Sequence, residues 1–270
     1  MSFYIGKDVK IHPSAKIDVV NGKVGDRSTI CEGAVIQGHS IHIGTESYIG
    51  PSATIGGGSC YDECAYLIAG DWLHLGPNAH LNIARGIEIG HEHASGIDTK
   101  ILTHGAYIDS HNLGAPTQWG KVVIGNNVWL ANAWVNPGIN IGDNVVVAAR
   151  SLVNKSIEAG SLAAGIPVKI IKKNYLPKNK SEKEKVDHIR SIISQLELRI
   201  KDFNNSNNVS YVKTLDQINI ECKNKRAEFN LKEKTVFGDV FGGSKILKDQ
   251  LRRNGIRFRF LENNSKWEPW

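Results

Sequence analysis

Residues 24–55, VGDRSTICEGAVIQGHSIHIGTESYIGPSATI, set an aliphatic side chain at nearly every sixth position: Val24, Ile30, Ile36, then Ile43, Ile49, Ile55. The same set of three stands 19 residues earlier at Ile5, Ile11 and Ile17. Downstream the beat returns at Leu75 and Leu81, at Ile124 and Leu130, and at Val135, Ile141, Val147 and Val153. Neither an amphipathic helix nor a simple alternating strand has a six-residue period. A solenoid coil with three short flat sides does, each side turning one aliphatic residue inward. The expected fold class is therefore mainly β, a solenoid of stacked coils. Gly often follows the aliphatic residue (IGTESY, IGPSAT, IGDNVV), as expected where the chain turns a corner.

The 270 residues allow one large or two modest domains, and 41% hydrophobic content is ample for a core. Charge is divided unevenly. Residues 1–171 hold 11 Lys/Arg against 14 Asp/Glu, a net of −3, and residues 172–270 carry +9. That basicity suits an anionic ligand or membrane-surface substrate, or simply a solvated Lys-rich face. No nucleic-acid motif accompanies it, so no nucleic-acid partner is expected. MSFYIGKDVK lacks the apolar run of a signal peptide and no stretch is long enough to span a bilayer, which points to the cytoplasm. Cys31, Cys60, Cys64 and Cys222 suggest reduced thiols, and Cys60 with Cys64 lacks a second pair to hold a metal.

Residues 1–173 form the expected coil domain. The beat blurs over 57–74 and breaks at 105–120 (GAYIDSHNLGAPTQWG), which reads as a loop thrown out from the coil. A five-residue step separates Leu130 from Val135, and AAGIPVKIIKK closes the solenoid. Residues 174–270 are a linker (NYLPKNK), a helix and a small basic α/β unit. Residues 181–203 carry a capping box from Ser181 to Glu184 and a stripe of Val186, Ile189, Ile192, Ile193 and Leu196. NNSNN reads as a flexible break. QINIECK, AEFNL, TVFGD and IRFRFL are candidate strands, and SKILKDQLRRNG is a helix with a Gly stop. A helix after the last coil suits an end cap, and self-association would bury flat sides.

At LGPNAHLNIARGIEIG, ILTHG, GKVVIGNNVWL, NPGINIGDNVVVAARSLVNKSI and AAGIPVKII the chain resembles the hexapeptide-repeat acyltransferases. It is most similar to sugar O-acetyltransferases related to galactoside and maltose acetyltransferases, and to polysaccharide-modifying members. The resemblance implies a left-handed parallel β-helix, a homotrimer with active sites between subunits, acetyl-CoA along the C-terminal coils, and a His as general base. No metal is implied. The acceptor would be a sugar or nucleotide sugar, such as a surface-polysaccharide building block.

Acetyl transfer to a hydroxyl needs a base near its working pH, which suits His. His104 ends ILTHG, where the family places a Thr-His pair before its active-site loop. His111 in DSHNLG resembles a variant of that site and stays as the alternative. Asp98 and Asp109 lie near enough in sequence to orient such a base, as a backbone carbonyl would also do. Trp129 falls on the family Trp near the pantetheine arm, though packing between coils would equally explain it. Asn132 and Ala149 fall on positions that contact CoA in relatives. Lys155, Lys169 and Lys172 are candidates for the CoA phosphates or plain surface lysines. Asn82 and Asp71 lie on the preceding coil, where relatives bind sugar, and Arg85 suits an anionic acceptor or solvent.

The expected function is an acetyl-CoA-dependent O-acetyltransferase transferring directly in a ternary complex. An N-acetyltransferase of a nucleotide-linked amino sugar is the alternative, since the same site accepts an amine. A zinc hydratase of the γ-carbonic-anhydrase type needs two ligands five residues apart, a spacing no His pair here has. A non-catalytic solenoid would leave the 105–120 loop and the Gly-x-Pro-x-Lys closure without a purpose.

Overall fold

The computed structural model describes residues 2–258, which divide into two compact units, 2–178 and 179–258. The first is a parallel β-helix of seven full coils and a partial eighth. Its three faces follow from the six-residue beat. The first stacks Ile5, Val24, Ile43, Ala69, Ile89, Ile124 and Ile141 in register. The second stacks Ile11, Ile30, Ile49, Leu75, Ser95, Leu130, Val147 and Ala163. The third stacks Ile17, Ile36, Ile55, Leu81, Ile101, Val135 and Val153. From the second coil onward these side chains are buried, and burying each aliphatic contributes roughly 1.5–3 kcal/mol.

Each side also turns a second residue inward, two positions earlier. On the second face these are Ser28, Ser47, Leu73, His93, Val128, Val145 and Ser161. His93 is wholly buried between Leu73 and Val128, with Nε2 2.8 Å from Ser95 Oγ. Burial, with His74 nearby, pushes its imidazole down to about 3.

Two of the three corners are tight turns on a left-handed residue. At the first these are Arg27, Glu46, Trp72, Glu92, Asn127 and Asn144, with φ between 54° and 63°. The glycine after each inward aliphatic is not that residue, contrary to the expectation that it makes the turn. Gly25, Gly44 and Gly90 are required by the coil above: a Cβ on Gly44 would lie 2.5 Å from Asp71 N, and one on Gly90 2.6 Å from Asn126 Oδ1. The third corner alone absorbs long insertions. There the chain runs directly from Ile36 to Ile43, but takes residues 56–65 between Ile55 and Ala69, and 102–121 between Ile101 and Ile124. The blurred stretch 57–74 is thus one insertion followed by regular sides at Tyr66–Ala69 and His74–Leu75. The loop expected over 105–120 has an ordered base, since His104–Gly105 pairs antiparallel with Gln118–Trp119.

The second unit has its own core. Helix α1 (Glu182–Arg199) has the expected capping box from Ser181 to Glu184, and stops before residue 203. Ile189, Ile192 and Leu196 of its stripe are buried with Phe203, Ile218, Phe229 and Leu251 in this unit's core. The NNSNN segment is not a break: helix α2 (Phe203–Asn207) occupies it. A four-stranded antiparallel meander runs through Val209–Val212, Gln217–Cys222, Lys225–Asn230 and Thr235–Gly238, the first of these absent from the sequence expectation. Helix α3 (Gly242–Arg253) follows and ends just before Gly255, which has φ of 79°. Of the expected strand IRFRFL, residues 256–258 are not in a strand and 259–261 lie outside the described residues. No helix among the described residues is long and apolar enough to cross a membrane.

Two outcomes test this packing. Gly44→Ala should lower stability in urea denaturation by about 1–3 kcal/mol through overpacking, while Gly105→Ala, whose Cβ meets nothing within 4 Å, should stay within about 0.5 kcal/mol. His93 titrates lower in the folded chain than in the unfolded one, so the unfolded state takes the proton first and stability drains away as pH falls from about 6.5 toward 3. His93→Leu should become relatively more stable than the parent protein by roughly 1.4 kcal/mol per pH unit across that window, measured by urea melts at pH 7, 6 and 5. A constant difference would refute the buried neutral imidazole.

Candidate active site

The third corner gathers chemistry because its insertions belong to successive coils. Thr103 is buried and ties two of them together: its Oγ1 accepts the Arg85 N–H at 3.0 Å and donates to the Asn82 carbonyl oxygen at 2.8 Å. His104 follows, half-buried, with Nδ1 2.9 Å from Asn82 Oδ1. Asn82 is 5% exposed, and its Oδ1 also accepts the Ala84 N–H at 3.3 Å, which marks that end of the amide as the oxygen. An amide oxygen only accepts, so in the neutral ring Nδ1 carries the proton and Nε2 the lone pair. Gly58 lies in front of the ring: a Cβ there would stand 3.9 Å from His104 Nε2. The ring also stacks on Trp119, centroids 5.0 Å apart and planes 16° apart. Arg85 shares the same indole, with Cζ 4.3 Å from the ring centroid.

The outer surface of the third face runs on from this corner. His80, Lys100, Trp134 and Leu152 stand side by side on successive coils. Burial, and then the Lys100 charge, push the His80 imidazole below its ordinary range. Lys100 Nζ lies 5.6 Å from the Trp134 ring centroid. Beyond it a largely apolar pocket of about 390 Å³ is lined by Asn132, Trp134, Arg150, Ser151, Leu152 and Ile166.

The structure thus brings together His104, Asn82 and Arg85, and sets Asn132 in the adjoining pocket. Ala149 is in the corner turn beside Arg150, which also lines that pocket. Lys155, Lys169 and Lys172 are exposed at the last coil and its closing strand, Lys169–Lys172. Three candidates stand elsewhere within one chain. Asp71 belongs to the first corner, where its Oδ1 accepts from Thr45 N at 2.8 Å and from Thr45 Oγ1 at 3.1 Å. Trp129 faces outward from the second face, between Ala94 and Val146. His111 is exposed in the loop, where its backbone N–H donates to Asp109 Oδ1 at 2.9 Å. The bonds from Asn112, and then that from His111, hold the Asp109 carboxyl below the usual carboxylate range, and its contacts lie within the loop. Asp98 makes a second-corner turn. Sequence reasoning missed Trp119, Trp134, Arg150, Leu152 and Ile166. A bulky aromatic at an outward position, as Trp134 is one residue before inward Val135, was a usable signal. Trp119's pairing with His104 across the loop had none.

No family model matches the chain. Curated relatives do. Over 129 residues, 44% of this chain, it is 30% identical to galactoside O-acetyltransferase of Escherichia coli strain K12. Over 112 residues, 38% of this chain, it is 36% identical to the putative lipopolysaccharide biosynthesis O-acetyl transferase WbbJ of the same organism. These matches cover 63% and 55% of the two relatives' own lengths. Among solved structures, AntD, an N-acyltransferase from Bacillus cereus in complex with dTDP and 3-hydroxybutyryl-CoA, is 20% identical, with TM-score 0.43, over 72% of this chain and 91% of that one. The resemblance of the chain to these curated relatives is a resemblance to O-acetyltransferases.

The arrangement favours one tautomer of the neutral ring. ¹⁵N spectra of the neutral His104 ring should show the Nδ1–H form, and Asn82→Ala should shift the tautomer balance toward Nε2–H by about fivefold, the worth of one ordinary hydrogen bond. An Nε2–H form in the parent protein would overturn the assignment.

Proposed function

We propose that this chain is an acetyltransferase that moves an acetyl group from acetyl-CoA to a sugar hydroxyl. The observation that carries the reading is the free Nε2 of His104, its Nδ1–H held by buried Asn82, at the end of a face that leads to an apolar pocket. The acetyltransferase names of the curated relatives support it.

The residues fit the co-substrate. Trp134, Leu152 and Ile166 offer apolar walls for a pantetheine arm, and Arg150 with Lys155, Lys169 and Lys172 offers charge for phosphates. Acetyl-CoA, when bound, supplies an activated carbonyl and a thiolate leaving group. His104 Nε2 takes the acceptor's hydroxyl proton as that oxygen attacks the carbonyl carbon. The C–S bond then breaks and the thiolate sulfur receives the proton back from the imidazolium. No acyl-enzyme forms. Asn82 orients His104 through its oxygen, and its amide nitrogen is left to donate to the acceptor sugar. Thr103 braces both. Orientation of this kind is a large part of what a protein adds to a bimolecular transfer. We further propose a homotrimer, in which outward apolar residues such as Ile68 and Trp129 are buried between copies.

The test is consumption of acetyl-CoA against a panel of free, nucleotide-linked and amino sugars. His104→Ala should lower turnover at least ~100-fold, the scale of a lost general base, while CoA still raises the melting temperature. Full activity in His104→Ala, with loss in His111→Ala, would move the base to the loop. Acetylation of amines alone would make the enzyme an N-acetyltransferase.

A further inference from the structure

Arg85 stands at the third corner against the same indole as His104. Its guanidinium is held in place on three sides. Nη1 donates to the Ala84 carbonyl at 2.8 Å, lies 3.3 Å from Cys64 Sγ, and is 3.6 Å from Asp62 Oδ2. The plane lies against Trp119, and the backbone N–H is fixed by Thr103. All the side chain's polar contacts among the described residues fall on Nη1. Nε and Nη2 form the other edge of the guanidinium, two parallel donors with no acceptor among the described residues. The side chain is 34% exposed, so the group is neither buried nor free to wander.

An immobilised arginine with an unused two-donor edge is matched to a carboxylate or phosphate, which accepts two parallel hydrogen bonds. The setting sharpens the point. Asp62 offsets Arg85 only in part, at one nitrogen and from a half-exposed position. The group also shares its indole with His104, so an anion on the free edge and the proposed base would belong to one cluster around Trp119.

We infer that the acceptor is anionic, with a carboxylate or phosphate seated on the Nε/Nη2 edge of Arg85 while a neighbouring hydroxyl meets His104. Arg85 is then the specificity-determining residue of the site. This rests on the acetyltransferase reading for its hydroxyl, but not for its anion. The charge has two sources, a ring carboxylate or the phosphate of a phosphorylated or nucleotide-linked sugar. Both use the same edge.

The experiment compares matched pairs on the full chain: glucuronate with glucose, galacturonate with galactose, and each sugar with its 1-phosphate and its nucleoside diphosphate form. Binding is read by calorimetry, independent of turnover, alongside initial rates with acetyl-CoA. The charged member of at least one pair should bind about 10- to 100-fold more tightly than the neutral one, the range of a charge-assisted pair. Arg85→Gln should abolish that preference through KM for the acceptor. Arg85→Lys should restore only part of it, since an ammonium cannot pair side-on. Uronates and phosphates report separately on the two sources. Equal binding of charged and neutral members, or a preference that survives in both Arg85 variants, overturns the inference. A preference that persists in His104→Ala with full turnover keeps the anion site and sinks the base instead. Near-ultraviolet circular dichroism of the Arg85 variants confirms that the Trp119 stack is intact.

Discussion

Every coil of the first unit is hydrogen-bonded to the next through its backbone, and that ladder constrains everything else. Gly25 N donates to Ile43 O, Gly44 N to Ala69 O, Gly70 N to Ile89 O, Gly90 N to Ile124 O and Gly125 N to Ile141 O. Strands so linked stand about 4.8 Å apart. At that spacing an inward aliphatic must land on the one below it, and a glycine must stand where two backbones nearly touch. A residue added within a side would break the register of every coil above it. A residue added at a corner costs only local loop entropy, which grows slowly with length.

The site is a consequence of that asymmetry. Two corners are occupied by tight left-handed turns and braced by side chains that accept from the neighbouring coil's backbone, as Asp26 does from Lys7 and Asn126 from His91. The third corner is free to lengthen, so polar groups from separate insertions meet there over a rigid edge. Asn82, Arg85, His104 and Trp119 span 38 residues of sequence yet share a single cluster of contacts. Rigidity comes from the coil and variety from the loops, the usual division in proteins that carry chemistry on connecting segments.

Within the cluster, each group's role is set by what its neighbour leaves open. Asn82 Oδ1 takes one nitrogen of His104 and so exposes the other. The Ala84 carbonyl, Cys64 and Asp62 occupy one nitrogen of Arg85 and so present the opposite edge. Trp119 holds the imidazole and the guanidinium through its ring face, with no hydrogen bond of its own to either among the described residues. A buried amide beside the imidazole orients it without adding a formal charge.

The sequence by itself determined the coil, because a six-residue period has one structural solution and each repeat states it again. It also located the loop, the capping box at Ser181 and three strands of the second unit, all of which are local patterns. It marked His104, Asn82 and Arg85 as residues of interest but not as neighbours, and it assigned Asn82 to sugar and Asp71 to the same region. Only the tertiary structure decided that Asn82 stands behind the imidazole, that Asp71 belongs to another corner, and that Trp119 returns across the loop to stack on His104. The physical reason is range. Periodicity reports which side of its own strand a residue occupies, whereas contact between corners depends on how far each insertion reaches, and no short window of sequence contains that length.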